Sequence, residues 1–350
     1  MSRMSADQAS GPLPEWARQQ AVALAWPPAD SDWRHNLEAI RACYLALIAA
    51  IAKRQMVWVL VRAHEREALQ QAIAKAGVDI DRVELLTAAF DDTWLRDTLP
   101  ISLHHPQQRM QHCNFAFDGW GGKYPAEQDN RLGQAILSHL KALWGLPQVS
   151  HSLVAEGGAI ESDGQGRVLT TRSWLTARYG EQHLSELEQL RQSLSARELL
   201  VIEHGWLAGD DTDGHVDNLV RLVAPDTLVY QACKPGQDPA AEALARMAKQ
   251  LTKLTTATGQ PYRLFALPWP GHVSDGQRQL PASYANFLLI NDAVLVPQFG
   301  VEADREALAT LEQACPGRQA VGINARALVH QNGGIHCASM QFPLPPGYHS

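Results

Sequence analysis

Residues 216–231, VDNLVRLVAPDTLVYQ, contain two β-rich segments on either side of a Pro-Asp turn. Valine and tyrosine favour strands, whereas proline and aspartate favour turns, so this stretch predicts a tight hairpin of Val216–Val223 and Thr227–Gln231. A helical pattern, Pro239–Lys253, follows this hairpin. The stretch therefore predicts a structural unit that consists of a hairpin and a helix.

The same unit recurs along the chain, with turns about sixty residues apart. The other turns and their flanking strand-like segments are Pro106–Arg109 between Ile101–His104 and Met110–Phe117, Asp163–Gly166 between Ala159–Glu161 and Val168–Thr171, and Asn291-Asp292 between Phe287–Ile290 and Ala293–Val296. Two further helical patterns are Gln182–Leu194 and Ala303–Ala314. The repeat is one of structure, because the residues themselves do not repeat.

Four such units leave a strand-like start, Ala21–Trp26, and a strand-like end, Ala338–Phe342. A radial array removes exposed sheet edges by closing, and the two termini can complete a fifth unit together. We therefore predict an α/β fold, a pseudo-symmetric five-bladed α/β propeller. An open doubly wound α/β sheet is the alternative, but parallel sheets need helical crossovers rather than four tight hairpins. No linker or composition shift divides the chain, so one domain over residues 1–350 is expected.

The composition limits the classes of function. The 350 residues are 45% hydrophobic and 19% charged, as in a globular protein, and the net charge is −7. This acidic balance argues against nucleic-acid binding, which requires a basic surface, and it suits a cationic ligand. The longest apolar run, Cys43–Ala52, is too short to span a membrane and predicts a buried helix, and Met1–Pro14 lacks the apolar core of a signal peptide.

Five cysteines occur, at positions 43, 113, 233, 315 and 337. An odd number without close spacing predicts neither a disulfide framework nor a CxxC metal site. Reduced thiols of this kind are typical of cytoplasmic proteins, so we expect the protein in the cytoplasm.

Polar motifs open or precede the predicted hairpins. In chain order they are Trp94–Thr98, Glu156–Gly158, Asp211–Asn218, Pro281–Asn286 and Gly333–Cys337. The steps from Asp97 to Glu156 and from Glu156 to Asp217 are 59 and 61 residues. Because equivalent positions of a radial array converge on its axis, these residues are expected to meet in one pocket.

Cys337 is the candidate nucleophile, because it follows Gly333–His336 in a polar stretch, whereas an isolated cysteine is usually an inert small hydrophobe. A thiol becomes nucleophilic as the thiolate, which an imidazolium or a cationic substrate can stabilise. His336 is adjacent, but neighbours on a strand point to opposite faces. We therefore predict His215 as the acid/base, on a strand fragment whose other polar residue is Asp217, and His336 as structural.

The central motif Gly209–Asn218, GDDTDGHVDN, resembles the GTDTDGHVDN motif of agmatine deiminases, relatives of the bacterial-type peptidyl-arginine deiminases. Other motifs that resemble this family are Pro14-Glu15-Trp16, Ala25-Trp26-Pro27, Trp120–Tyr124, Glu156-Gly157-Gly158, Pro281–Tyr284, Val296–Phe299 and Gly333–Cys337. The resemblance thus spans nearly the whole chain. Two positions differ from the family: Asp210 replaces a threonine, and Leu99 replaces a glycine, which leaves the shape of the loop around Leu99 open.

The resemblance implies a pentein-type five-bladed propeller and the hydrolysis of agmatine to N-carbamoylputrescine and ammonia through a covalent amidino-cysteine intermediate. It assigns the attack on the guanidinium carbon to the thiolate and proton transfer to the histidine. The implied catalytic residues are Cys337, His215, Glu156, Asp97 and Asp217; Asp97 and Asp217 also bind the guanidinium, together with Trp94 and Trp120. Neither a cofactor nor a metal is implied, the partner is a small cationic guanidine, and the oligomeric state, including a homo-oligomer, stays open.

Three alternatives follow from the same residues. Deimination of peptidyl-arginine would use the same guanidinium chemistry. A metal hydrolase would use His215, Asp217, Asp97 and His336 as ligands, although His215 has no second histidine at the spacing of a metal pair. A non-catalytic binder of cationic metabolites would have no use for Cys337.

Two cations in the matched motifs, Arg96 and Lys123, bear on the size of the substrate. Arg96 neighbours Asp97 on a segment predicted to be extended, so it is expected to point away from the pocket. Lys123 is expected to form a surface salt bridge. Neither cation would then meet the α-carboxylate of arginine, and the sequence predicts a narrow pocket for agmatine.

Overall fold

The computed structural model describes residues 10–105, 108–182, 184–345 and 347–348. Its strands are β1 (Gly11–Pro12), β2 (Gln19–Ala25), β3 (Met56–Val61), β4 (Val83–Thr87), β5 (Ile101–His105), β6 (Gln108–Ala116), β7 (Gln148–Val154), β8 (Glu161–Ser162), β9 (Arg167–Thr171), β10 (Glu198–Ile202), β11 (Val220–Ala224), β12 (Thr227–Gln231), β13 (Arg263–Leu267), β14 (Leu288–Ile290), β15 (Ala293–Gln298), β16 (Gln319–Asn324) and β17 (Ser339–Pro343).

The helices are α1 (Leu37–Ala52), α2 (Arg66–Lys75), α3 (Leu95–Thr98), α4 (Gly119–Gly122), α5 (Glu127–Trp144), α6 (Arg172–Tyr179), α7 (Leu184–Ser193), α8 (Ala241–Leu251), α9 (Ala303–Ala314) and α10 (Arg326–Val329). Short 3-10 helices occupy Asp32–His35, Ala63–Glu65, Ile80–Arg82, Gly157–Ala159 and Val216–Asn218. Within the described ranges, no helix has the length and apolar content that crossing a membrane requires.

The described strands form five sheets, with the strand orders β1-β5-β6-β7, β10-β9-β8, β11-β12-β13, β14-β15-β16 and β17-β2-β3-β4. Each sheet contains an antiparallel pair and then, after a helical connection, a third strand parallel to the second. Two sheets have a fourth strand: β1 pairs antiparallel with β5, and β4 pairs parallel with β3. In the last sheet the antiparallel pair joins the two ends of the chain, since β17 pairs with β2. The α/β class and the pairing of the termini are thus confirmed.

The hairpins agree well with the sequence analysis. The turns at Asp163–Gly166, Pro225-Asp226 and Asn291-Asp292 each connect an antiparallel pair. The strands β5 and β6 also pair as predicted, whereas Pro106 and Gln107 of the predicted turn lie outside the described residues. The helix Ala303–Ala314 has the predicted bounds. The patterns at Pro239–Lys253 and Gln182–Leu194 correspond to the shorter α8 and α7, and His183 lies outside the described residues.

The predicted strand at His215–Asp217 is wrong. Val216–Asn218 form a 3-10 helix, and β11 begins only at Val220. Asp213 and Gly214 have φ angles of 66° and 89°, so the backbone immediately before His215 is in a left-handed turn and is not extended. Asp210 stabilises the turn, because its carboxylate accepts hydrogen bonds from the backbone of Thr212 and Gly214.

The apolar face of α1 is central to the largest hydrophobic cluster, which also contains residues of β2, β3 and β15. Tyr44, Leu47, Ile48 and Ile51 recur at helical spacing and are fully buried. The predicted buried helix over the apolar run at 43–52 is therefore confirmed. This packing joins the sheet that holds both ends of the chain to the sheet of β14, β15 and β16.

Replacement of Leu47 tests this core. We expect Leu47→Ala to lower the free energy of unfolding by about 2–5 kcal/mol, because it removes buried methyl groups and leaves a cavity. Leu184→Ala is the matched control, since Leu184 is 81% exposed and its truncation should change stability by less than about 0.5 kcal/mol. Equal losses in the two variants, measured by urea denaturation, would contradict the assignment of Leu47 to the core.

Candidate active site

Five chain segments bring the predicted site residues together around one cavity of about 260 Å³. Trp94, Asp97, Trp120 and Cys337 line this cavity directly. The remaining lining residues are Asp32, Asp92, Tyr124, Asp211, Thr212, Arg278, His330, Gln331, Asn332 and Gly333. The other three predicted residues are Glu156, His215 and Asp217, and the contacts described below place them beside Asp97 and Cys337.

Cys337 lies in a turn immediately before β17 rather than on the strand itself. Its Sγ accepts a hydrogen bond from Asn286 Nδ2 at 3.1 Å and lies 3.6 Å from Asp217 Oδ2. The Asn286 side chain also holds the turn, since its Oδ1 accepts from the backbone N–H groups of His336 and Cys337. Asn286 thus fixes both the sulfur and the backbone that carries it.

The sequence analysis quoted Asn286 in a motif but assigned it no role. In the sequence, the role of Asn286 is indicated by Gly334, the residue against which its side chain packs. A Cβ atom on Gly334 would lie 2.2 Å from Asn286 Oδ1, so only glycine allows the amide to reach the turn. The Gly333-Gly334 pair therefore serves close packing against the site.

The thiol of Cys337 is protonated at neutral pH, because its surroundings raise its pKa. Burial raises its pKa well above the ordinary value, and the negative charges of Asp217 and Asp97 raise it further. The hydrogen bond from Asn286 lowers the pKa, but it does not outweigh these effects. A cation placed beside the sulfur would reverse the balance, because it favours the thiolate.

His215 is fully buried, and its Nε2 lies 2.7 Å from Glu156 Oε2. Its Nδ1 has no hydrogen-bond partner in the described part of the chain and lies 3.8 Å from Asp97 Oδ1. Burial lowers the pKa of His215, but Asp97, Glu156 and Asp217 outweigh this effect and raise it to about 9. The ring is therefore an imidazolium at neutral pH, with one N–H directed to Glu156.

Gly158 makes room for this arrangement. A Cβ atom at position 158 would lie 2.4 Å from His215 Nδ1 and 2.9 Å from Asp97 Oδ1. Any side chain there would consequently occupy the space between the imidazole and the carboxylate.

Glu156 is itself held by groups that the sequence analysis missed. Its carboxylate accepts from Trp174 Nε1 at 2.6 Å and from Arg178 Nε at 2.7 Å. Arg178 also donates to Asp213 Oδ2 at 2.6 Å. Burial raises the pKa of Glu156, but His215 and Arg178 outweigh it, and the pKa lies below its ordinary value. Trp174 and Arg178 lie on α6, which carries no motif, so only the fold reveals their role.

Asp97 and Asp217 are both almost completely buried. Asp97 Oδ1 accepts from the backbone N–H of Gly158 at 2.8 Å, and its Oδ2 accepts from Trp120 Nε1 at 3.0 Å. Asp217 Oδ2 lies 2.7 Å from His336 Nδ1. Asp217 Oδ1 is buried and has no hydrogen-bond partner among the described residues.

The two carboxylates differ in their electrostatics. Burial raises the pKa of Asp97, and the negative charges of Glu156 and Asp217 raise it further. His215 lowers this pKa, but the net shift is upward. Burial also raises the pKa of Asp217, but His336 outweighs it, and the pKa lies below its ordinary value. A bound cation would stabilise the charge on both.

The aromatic residues Trp94 and Trp120 lie in the cavity lining, as predicted. Trp120 has a positive φ of 56°, which is unusual for a residue with a side chain, and its indole anchors Asp97. Phe117 and Tyr124 pack edge-on against its ring. The strained backbone of Trp120 is thus held in place by contacts on both sides.

Arg96 was predicted on an extended segment, but it lies in the short helix α3. The backbone N–H of Leu99 donates to the carbonyl oxygen of Leu95 and closes this helical turn. Its guanidinium binds Gln341 Oε1 at 2.5 Å and is absent from the cavity lining. Lys123 forms the expected salt bridge, with Asp213 at 2.9 Å.

Leu99 is buried in a hydrophobic cluster with Leu95 and Leu132 and is not a lining residue of the cavity. An arginine that the sequence analysis did not consider, Arg278, does line the cavity. Its guanidinium binds His330 O at 2.8 Å and Asn332 Oδ1 at 2.5 Å.

His336 was predicted to be structural because strand neighbours point to opposite faces, but residues 335–338 form a turn, so that argument is wrong. Both ring nitrogens lie 2.7 Å from carboxylate oxygens, Nδ1 from Asp217 and Nε2 from Glu15. Neither nitrogen is then free to bind a metal ion. Throughout the described ranges, no group of three or more His, Cys, Asp or Glu side chains is arranged to hold one.

The chain is similar to known proteins over nearly its whole length. The model of the Porphyromonas-type peptidyl-arginine deiminase family matches residues 12–343. The agmatine deiminase of Ectopseudomonas mendocina is 30% identical over 360 residues, which cover 95% of each chain. The crystal structure of the proposed arginine deiminase of Porphyromonas gingivalis is 38% identical, with a TM-score of 0.85 over 95% of this chain and 98% of that chain.

A structure of C. jejuni agmatine deiminase is 28% identical, with a TM-score of 0.82 over 96% of this chain and 97% of that chain. The family match extends from the segment that carries Glu15 to the last strand, β17, and includes every residue of the site described above. On this evidence the chain belongs to the Porphyromonas-type peptidyl-arginine deiminase family.

Proposed function

We propose that this protein hydrolyses the guanidinium group of agmatine to N-carbamoylputrescine and ammonia. The observation that carries the proposal is a buried thiol, Cys337, 3.6 Å from the carboxylate of Asp217. Asp97 lines the same cavity as this thiol and lies 3.8 Å from the charged His215. Relatives named agmatine deiminase, 30% identical over 95% of each chain, support this choice of substrate.

Binding of the guanidinium depends on Asp97 and Asp217. A guanidinium is planar and presents pairs of N–H groups, which carboxylates accept with good geometry. Asp217 Oδ1 is buried without a partner among the described residues, so it is available to such a donor. The two negative charges offset the cost of burying the cation.

The bound cation also activates the nucleophile, because its charge counteracts the effects that raise the pKa of Cys337. The thiol then releases its proton to solvent, since His215 is already charged. The thiolate then attacks the guanidinium carbon, and a C–S bond forms. His215 gives a proton to the departing nitrogen, so that the C–N bond breaks and ammonia leaves. Asn286 stabilises the sulfur anion through its N–H group at 3.1 Å.

Hydrolysis of the resulting amidino-cysteine completes the cycle. The neutral His215 takes a proton from water, and the hydroxide attacks the same carbon. The C–S bond then breaks with its electron pair on sulfur, the added hydroxyl group loses its proton to solvent, and N-carbamoylputrescine is released. Glu156 orients the ring through both steps, since its carboxylate is fixed by Arg178 and Trp174.

The preference for agmatine rests on the charges along the cavity. Besides the deeper Asp97, three further carboxylates, those of Asp32, Asp92 and Asp211, line it. Their negative charge suits a substrate with a second cation at its distal end, such as agmatine. Deimination of peptidyl-arginine is the second candidate. Arg278 in the lining favours it for a peptide that ends in arginine, because a C-terminal arginine keeps the α-carboxylate that a guanidinium binds.

We also propose the overall architecture of the protein and its location in the cell. Five sheets of one repeated topology support a five-bladed α/β propeller, formed by a single catalytic domain over residues 1–350. All five cysteines are free thiols, which supports a reducing compartment such as the cytoplasm.

The nucleophile is tested by Cys337→Ser. We expect kcat for ammonia release from agmatine to fall by about 1,000-fold or more, because the hydroxyl is a far weaker nucleophile here. Cys113→Ser and Cys315→Ser are controls, since neither cysteine lines the cavity. Near-native turnover by Cys337→Ser would refute the covalent mechanism.

The role of Glu156 is tested by the pH dependence of kcat/KM. Because the acid is the imidazolium of His215, activity should fall as the pH rises through about 9. Glu156→Gln removes a negative charge that stabilises the imidazolium, so the alkaline decline should move to lower pH. Glu188→Gln, at an exposed glutamate, should leave the profile unchanged. An unshifted decline in Glu156→Gln would contradict the assignment of His215 as the acid.

The substrate is tested by comparing kcat/KM for agmatine, free arginine and an arginine-containing peptide. We expect agmatine to exceed arginine by about 10- to 200-fold, because three carboxylates in the lining besides Asp97, against the guanidinium of Arg278, disfavour the carboxylate of arginine. Arg278→Gln should leave agmatine turnover within about twofold of wild type. A peptide that is hydrolysed faster than agmatine, and more slowly by Arg278→Gln, would establish the second candidate instead.

A further inference from the structure

Six charged side chains form a buried network that ends at the substrate-binding carboxylate Asp217. Its members are Asp217, His336, Glu15, Arg221, Glu161 and Arg96, and each side chain is at most 5% exposed. Of these, the mechanism uses Asp217 alone. Burial of so many charges is costly unless they are paired, so their arrangement calls for an explanation in terms of the site.

His336 is the link between the substrate-binding carboxylate and the rest of this network. Its Nδ1 lies 2.7 Å from Asp217 Oδ2, and its Nε2 lies 2.7 Å from Glu15 Oε2. Ionised carboxylates only accept hydrogen bonds, so both ring nitrogens must donate, and the ring must be an imidazolium. The network then contains three anions and three cations.

Glu15 is in turn fixed on all sides. Arg221 Nη2 donates to its Oε2 at 2.6 Å, and the backbone N–H of Leu289 donates to its Oε1 at 2.5 Å. Glu15 and His336 are 321 residues apart in the sequence, so the contact joins the start of the chain to the turn that carries the nucleophile.

The contact with His336 determines which oxygen of Asp217 can meet the substrate. Oδ2 is occupied by the imidazolium, whereas Oδ1 is buried and unpartnered within the described structure. A half-turn of the carboxylate only exchanges its two equivalent oxygens, so the bond to His336 always leaves the other oxygen without a partner in the described part of the protein. Oδ1 is thereby kept available, and the charge of His336 favours the ionised state of Asp217.

We propose that His336 is a positioning residue, which holds Asp217 ionised with Oδ1 free for the guanidinium, and that Glu15 acts through His336 by keeping its ring charged. This inference rests on the proposed function, since Asp217 is taken there as a ligand of the substrate guanidinium. It makes Glu15 and His336 determinants of substrate affinity and of its pH dependence.

The test measures the Kd of agmatine by calorimetry in a Cys337→Ser background, in which binding is not followed by turnover. Glu15→Gln and His336→Gln should each weaken binding by about tenfold or more, because Asp217 loses a charged hydrogen-bond donor. In Glu15→Gln the loss of affinity on acidification should also begin at a higher pH. Glu15→Asp, which keeps the charge, should restore part of both effects.

A double variant separates positioning from a general effect on structure. If Glu15 acts through His336, Glu15→Gln adds nothing to the loss caused by His336→Gln. Glu65→Gln is the matched control, because Glu65 is a buried glutamate paired with Arg41 outside the network; it should leave Kd unchanged. Melting temperatures identify any variant that does not fold. If Glu15→Gln does not fold, the Kd of agmatine for His336→Gln decides the test.

Two results would overturn the inference: a Glu15→Gln variant with the affinity and pH profile of its parent, or additive losses in the double variant. Failure of the wild-type protein to hydrolyse agmatine would instead overturn the proposed substrate. In that case the Kd and its pH dependence are measured for the same variants with the arginine compound that the protein does hydrolyse.

Discussion

The buried guanidinium of Arg221 is the constraint on which the centre of this molecule depends. It is fully buried and donates to Glu161, to Glu15 and to the carbonyl oxygens of Ala285 and Phe287. These partners belong to separate units of the chain. Because an unpaired buried cation would cost several kcal/mol, the segments that carry the partners must all be in place at once. The ion pairs thus bring together the segments from which the site is built.

The same electrostatic logic governs the site. The burial of a carboxylate away from water costs free energy, yet Asp97 and Asp217 are both buried beside a thiol. Their charges raise the pKa of that thiol. In the proposed mechanism, a substrate guanidinium relieves all three groups together, because it would pair with both carboxylates and favour the thiolate.

The sequence predicted much of this arrangement through local rules. The turns at Pro225-Asp226 and Asn291-Asp292 follow from residue preferences within a few positions, and the structure has hairpins at both. The motifs around Asp97, Glu156 and Cys337 were predicted to meet because their positions in the units are equivalent. Prediction failed where the backbone left regular geometry, as at His215 and Cys337. The alternation of side chains between the two faces of a strand does not apply in a turn.

The sequence by itself determined the repeated hairpin and helix, the family resemblance and the identity of the residues around the thiol. Only the tertiary structure decided that Arg178 and Trp174 hold Glu156, that Asn286 donates to Cys337, and that His336 bridges Asp217 and Glu15. The physical reason is the range of the interactions. Backbone preferences act between neighbours along the chain, whereas a buried ion pair depends on distances that exist only after remote segments have packed together.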